Sequence, residues 1–205
     1  MEYIHGVSHF AEVAGSVRRL KPSVSDIDIV IQPHNTAAIW NRIDVMLDNG
    51  TVRKAIYGDG KTRWGETYRG CLFMGMKVEI HLCTPENRGY IYWLYTGDGD
   101  KNQYVMRKLI EHQSLIRFHD GSAWHVSYDK NHPKFNVGFG YAKLARLAVP
   151  DEQTFYTLIG MPFIAPHNRS EITYRRYLER AINVPPLEAI QLRYAEEAQK
   201  QGRLF

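Results

Sequence analysis

Two aspartates, Asp26 and Asp28, stand inside an otherwise apolar run that continues through Ile27, Ile29, Val30 and Ile31. A carboxylate in such a segment needs a partner, because burying it unpaired is costly. Alternate residues of a strand share a face, so Asp26 and Asp28 point one way while Ile27 and Ile29 point into a core. The two Cα atoms then lie about 6.5 to 7 Å apart. Carboxylates at that spacing can share hard cations, and Mg²⁺ prefers such oxygen ligands. The same pattern also fits an edge strand with a solvated polar face. What favours chemistry lies upstream, where Phe10 to Ala14 reads as a strand leading into Gly15 and Ser16. A strand, a glycine and a helix start offer free backbone N–H groups, a natural phosphate cradle. Gly15 lets the backbone approach an anion, and the Ser16 hydroxyl and Arg19 guanidinium can complete the grip. Taken singly, the Gly15–Ser16 pair also fits an ordinary turn with exposed arginines.

The 205 residues suffice for one large domain or two small ones with a real core. Hydrophobic residues at 44% and charged residues at 23% are ordinary globular values and argue against a disordered or fibrous chain. A net charge of +4 permits a polyanionic partner without requiring one. Cys71 and Cys83 are the only cysteines, which excludes a disulfide scaffold and points to an intracellular, reducing setting, in the cytoplasm or inside a host cell. No apolar run approaches the ~18 residues of a membrane span, and no secretory signal opens the chain.

Further along, residues 35–49 read as a helix capped by Asn35, with Ala38, Ile39, Ile43, Met46 and Leu47 as its apolar stripe and Gly50 as its stop. Residues 51–57 read as a strand and Gly58 to Gly60 as a turn, followed by a basic loop with Trp64. Residues 67–73 and 76–82 form a hairpin around Met74 and Gly75. In its second arm Lys77, Glu79 and His81 share one face and Val78, Ile80 and Leu82 the other. Glu79 is thus a third carboxylate, on a strand expected beside that of Asp26 and Asp28. A plain surface pair with Lys77 fits the spacing as well.

From Pro85 the character changes. Residues 86–95 and 100–112 read as helices, 115–119 and 123–128 as a hairpin around Asp120 and Gly121, 131–141 as loop, and 151–159 as a short helix. After Arg169 two amphipathic helices are expected, residues 170–182 and 187–201, separated by Pro185 and Pro186. Tyr174, Tyr177, Leu178 and Ala181 make the first stripe. Packing against the parent domain is its ordinary reading, and a nucleic-acid contact through its arginines the other.

Three pieces of the chain, taken together, resemble the DNA polymerase X family of nucleotidyltransferases, the group containing DNA polymerase β. The first is Gly15-Ser16 with Arg18-Arg19, followed by Ser25-Asp26-Ile27-Asp28. The second is Leu94-Tyr95-Thr96-Gly97, and the third runs from Asp151 to Pro166. They occur in family order over residues 10–169. The resemblance implies an α+β fold, in which a nucleotidyltransferase palm (a mixed sheet with helices on one face) precedes a small α/β terminal subdomain. The implied divisions are residues 1–84, residues 85–169, and a helical C-terminal extension of residues 170–205. With only fourteen residues before Gly15, an amino-terminal lyase or BRCT domain is not expected.

By the same resemblance Asp26, Asp28 and Glu79 are catalytic and hold two Mg²⁺ ions. Gly15, Ser16, Arg19 and Ser25 grip a triphosphate, and Tyr95, Thr96 and Gly97 lie against the incoming sugar. Asn102 reaches the minor-groove edge of the incoming base, while Lys77 and Arg107 face the primer and DNA. Glu79 departs from the family's aspartate by one methylene, which leaves Mn²⁺ open as the ion. Leu94 departs from the common tyrosine. The implied activity is template-directed addition of dNMP from a dNTP to a primer 3′-hydroxyl, filling short gaps in DNA repair, by a monomer with no membrane association. Template-independent transfer to nucleic-acid ends or another acceptor uses the same residues. A DNA-end binding protein with a degenerate site is the alternative of another class.

Overall fold

The computed structural model describes residues 6–112 and 114–178. Its fold is α+β, and it begins with the mixed sheet that the alternating segments anticipate. Strand β1 (Ser8–Val13) runs into a single helical turn, α1 (Gly15–Arg18), and β2 (Asp26–Pro33) returns antiparallel to β1. Helix α2 (Thr36–Asp48) follows, started by Asn35, whose side chain accepts from the backbone N–H groups of Ala37 and Ala38 at 2.8 and 3.4 Å. Then come β3 (Val52–Lys54), β4 (Tyr68–Phe73) and β5 (Met76–Leu82), giving the strand order β1-β2-β5-β4-β3. β2 and β5 are parallel neighbours, and the other pairings are antiparallel.

The turn between β4 and β5 is two residues long, and both Met74 and Gly75 have positive φ, as a tight hairpin of this twist requires. The expected strand over residues 51–57 shortens to three residues. Beyond Lys54 the chain folds back on itself, with Ile56 bridged to Thr62 and the Tyr57 N–H donating to the Lys61 carbonyl at 3.0 Å.

The second half opens with α3 (Arg88–Thr96) and α4 (Gly99–Glu111). An antiparallel sheet follows, made of β6 (Ile116–His119), β7 (Ser122–Ser127), β8 (Phe135–Asn136) and β9 (Tyr141–Leu147), in the order β6-β7-β9-β8. Asp120 and Gly121 make the expected two-residue turn. β8 interrupts the loop read over residues 131–141, and β9 is a strand that the residue pattern conceals. Lys143 and Arg146 break its alternation, and its Ala and Leu content does not favour extended chain; pairing with β7 decides its conformation. Helix α5 (Glu152–Leu158) is capped by Asp151, which accepts from the Thr154 N–H at 2.7 Å.

A short 3₁₀ turn, Pro166–Asn168, leads to α6 (Glu171–Leu178). α6 buries Tyr174 and Leu178 in the second-half core, and the Trp93 indole N–H donates to the Tyr174 hydroxyl at 3.2 Å. That is the packing expected of the first tail stripe. The remainder of that helix, the Pro185–Pro186 break and the helix expected over residues 187–201 lie outside the described residues. Among the described residues no helix is long and apolar enough to cross a membrane.

Among the described residues two packed clusters hold the fold together. Ile29 and Ile31 of β2 and Ile80 of β5 pack on Ile39, Trp40 and Ile43 of α2. On the opposite face, Ala14 and Val30 join Tyr90, Ile91, Trp93 and Phe155 of the second half. Strand alternation places Asp26 and Asp28 on that second face, the one that α1 and α3 partly cover.

Candidate active site

The parallel register of β2 and β5 builds the site. Asp26 stands opposite Lys77, Asp28 opposite Glu79, and Val30 opposite His81, so all five polar side chains share one face. The burial is graded. The side chains of Asp26, Asp28 and Glu79 are 27%, 17% and 16% exposed, and that of His81 only 2%. The expected neighbour relation of Glu79 to the Asp26–Asp28 strand is therefore a register pair, and the three carboxylates face one cleft.

The chain's own groups compensate these charges. The Lys77 ammonium lies 2.9 Å from Asp26 Oδ2 and 3.0 Å from Glu79 Oε1. Burial pulls the Lys77 pKa down, but its hydrogen bonds to Asp26 and Glu79 and their charges outweigh that and raise it. On the other side, His81 Nε2 lies 3.1 Å from Asp28 Oδ1. Asp28, Glu79 and His81 each offer a ligand atom, and the three atoms lie within 4.8 Å of one another. Two carboxylates and an imidazole at such spacing are a donor set for a divalent cation.

Tyr57 and Tyr68 complete the wall beside Glu79. The Tyr57 hydroxyl donates to Glu79 Oε1 at 3.0 Å and is hydrogen-bonded to the Tyr68 hydroxyl. Burial is the largest cause raising both phenol pKa values, and the neighbouring Glu79 charge adds to it, so both stay protonated donors. Gly70, opposite Glu79 on β4, makes this possible, since a Cβ there would overlap the Tyr57 ring and hydroxyl. The sequence signals were present in an interior-strand glycine and in His81 at alternate spacing from Glu79. Neither signal names its partner without the fold.

The Gly15–Ser16 turn stands directly beside the acids. Gly15 has φ +58, the Ala14 N–H donates to the Asp28 carbonyl at 2.8 Å, and the Ser16 hydroxyl is buried without a hydrogen-bond partner among the described residues. Ser25 is exposed, its hydroxyl 3.3 Å from Asp26 Oδ1. Arg19 does not reach into open space. Its guanidinium donates to the carbonyls of Thr96 and Gly97, the latter at 2.9 Å, and so ties α1 to the end of α3. Arg18 does the same from its other side, donating to the Thr96 hydroxyl at 2.7 Å and to both Glu152 oxygens at 2.9 and 2.6 Å.

Tyr95 stacks on His81 with ring centroids 3.4 Å apart, which brings the segment Tyr95 to Gly97 to the rim of the acidic cleft. Asn102 is turned inward. It is 5% exposed, its amide donates to the Leu94 carbonyl at 2.7 Å, and it packs where a side chain on Gly97 would otherwise lie. Arg107 is outside this group, on the exposed flank of α4, with Glu111 3.6 Å away.

No family model matches the chain, and no curated protein matches it in sequence. Its fold is similar to that of a solved polymerase beta from Leishmania infantum, a crystal structure of a ternary P/T complex. The TM-score is 0.60 at 14% identity, over 82% of this chain and 69% of that one. The chain thus has a polymerase-beta-like fold.

Proposed function

We propose that the chain is a metal-dependent nucleotidyltransferase that adds dNMP from a dNTP to a primer 3′-hydroxyl under template direction, filling short gaps in DNA. One observation carries the reading: the β2–β5 register brings Asp26, Asp28 and Glu79 to one face beside the Gly15–Ser16 turn. The primer/template complex of the structural neighbour supports DNA as the partner. In this reading residues 1–84 carry the acids, residues 85–169 the sugar platform and DNA contacts, and residues 170–205 are an extension.

The donor set fits a divalent cation, and the Lys77 ammonium already sits where positive charge bridges Asp26 and Glu79. Asp26, Asp28 and Glu79 would hold two ions, Mg²⁺ or Mn²⁺. Such ions, when bound, activate the attacking hydroxyl and stabilise the leaving pyrophosphate. The protein's own part is positioning and charge compensation, the main demands of phosphoryl transfer. The backbone of Gly15 and Ser16, with Ser25, holds the triphosphate. Arg19 joins them by exchanging its bonds to Thr96 and Gly97 for phosphate oxygens. Tyr95 and the Thr96–Gly97 backbone orient the sugar, and Lys77 and Arg107 face the primer and DNA.

The test is primer extension on gapped, primed and single-stranded DNA with single dNTPs or NTPs, in Mg²⁺ and in Mn²⁺. Template-matched incorporation that Asp26→Ala and Asp28→Ala abolish is the expected result. Full activity in either variant would refute the assignment of the acids. Template-independent transfer is the second reading. The inward amide of Asn102 favours it, because that residue offers no contact to a templated base pair as it stands. Incorporation indifferent to the template base would select it.

A further inference from the structure

His81 is the least expected member of the cleft. An imidazole 2% exposed, at the floor of an acidic cluster, needs a reason, and hydrogen bonding within the chain supplies only half of one. Nε2 faces Asp28, whereas Nδ1 is buried with no hydrogen-bond partner among the described residues. The ring is nonetheless fixed, stacked on Tyr95 and lying 4.9 Å from the Tyr68 ring.

The spacing of its neighbours is that of a coordination sphere. An octahedral ion with bonds of about 2.1 Å separates adjacent ligand atoms by about 3.0 Å. His81 Nε2 and Asp28 Oδ1 are 3.1 Å apart, and a Glu79 oxygen completes the group within 4.8 Å. The group that gathers within that distance is Asp28, Glu79 and His81, so it contains one nitrogen and two carboxylates, not carboxylates alone.

We propose that His81 is a direct ligand, with Asp28 and Glu79, of a divalent transition-metal ion, so that this site selects Mn²⁺ or a later first-row ion over Mg²⁺. The inference rests on the metal-dependent reading above and sharpens it. Imidazole nitrogen suits transition ions, whereas an all-oxygen set suits Mg²⁺. A histidine that only oriented Asp28 through a hydrogen bond would leave the ion with oxygen ligands.

Pulsed electron paramagnetic resonance on the full chain with one equivalent of Mn²⁺, without nucleotide, separates the two roles. The expected spectrum carries a ¹⁴N coupling that changes to the ¹⁵N pattern when the protein is made with ¹⁵N-histidine and disappears in His81→Gln. The Mn²⁺-over-Mg²⁺ preference should be lost in that variant, because the ligands that remain are oxygen atoms. Should His81→Gln fail to fold, His81→Phe gives the same answer, since it keeps a ring in the stack on Tyr95 and must also lose the coupling. Bound Mn²⁺ with no nitrogen coupling in the wild type, or coupling that survives either substitution in a folded protein, overturns the assignment. Nitrogen-coupled Mn²⁺ in a protein that transfers no nucleotide upholds the ligand and removes the nucleotidyltransferase reading. Transfer that depends on Asp26 and Asp28, without nitrogen coupling, does the reverse.

Discussion

Gly15 and Asp28 are in such close contact that a Cβ at position 15 would overlap the Asp28 carboxylate. Gly15 also has φ +58, a conformation that costs an L-residue roughly 1 to 2 kcal/mol. Both constraints act at one point, and the second displaces a proposed metal ligand. Gly15→Ala should lower the unfolding free energy by at least about 1 kcal/mol in urea titration and weaken Mn²⁺ binding. A variant as stable as the wild type, with unchanged metal affinity, would remove the link between turn and acid.

Lys77 is held by Asp26 and Glu79 together, so it is the counter-ion of a site that divalent ions would neutralise. Lys77→Met keeps the stem and removes the charge. In the presence of a chelator, repulsion among the carboxylates should lower its melting temperature relative to the wild type, by the equivalent of about 1 kcal/mol for a partly exposed pair. Adding Mn²⁺ should then raise the melting temperature of the variant more than that of the wild type. Equal metal-induced stabilisation of the two proteins would show that Lys77 does not compensate this site.

Much of this site was legible before the fold was known. Asp26, Asp28 and Glu79 were readable because alternation assigns faces within a strand, and because a third acid stood on a strand of matching pattern. The register that sets Asp28 opposite Glu79 was not readable, since a one-residue slip would send Glu79 to the other face. His81 shared Glu79's face, but its burial depends on Tyr95 arriving from α3. The residue type of Arg19 beside the Gly15–Ser16 turn suits a phosphate; its bonds to Thr96 and Gly97 are not legible in the sequence, because they come from a segment 77 residues away. β9 stayed hidden because Lys143 and Arg146 mask its alternation.

Glu152 ties the two halves together. It is 6% exposed and accepts from Arg18 and from Arg169, which is itself buried, so one carboxylate balances two guanidinium groups. Arg18 also stacks on Tyr92, 3.6 Å from the ring centroid. Removing one partner of a buried ion pair leaves uncompensated charge and costs about 3 to 5 kcal/mol. Glu152→Gln should therefore be destabilised by that order in urea unfolding. It should also loosen α1 from α5, read as faster hydrogen exchange at the Arg18 and Arg19 amides. A loss below about 1 kcal/mol would place the pair with weak surface contacts.

His125 gives the fold a pH dependence remote from the cleft. It sits half-buried on β7, opposite Ile116 and Ala145, and burial lowers its pKa from the ordinary histidine value. The folded chain thus favours the neutral ring, and the unfolded chain takes up the proton first as the pH falls. The stability His125 contributes is complete above about pH 6.5, the ordinary histidine pKa, and is lost as the pH falls from there to the lowered folded value. Urea unfolding at about pH 7.5 and about pH 5.5 brackets that window. The wild type should lose more stability between the two than His125→Gln, whose position 125 carries no titrating group. Equal losses in the two proteins would show that burial on β7 does not hold His125 in its neutral form.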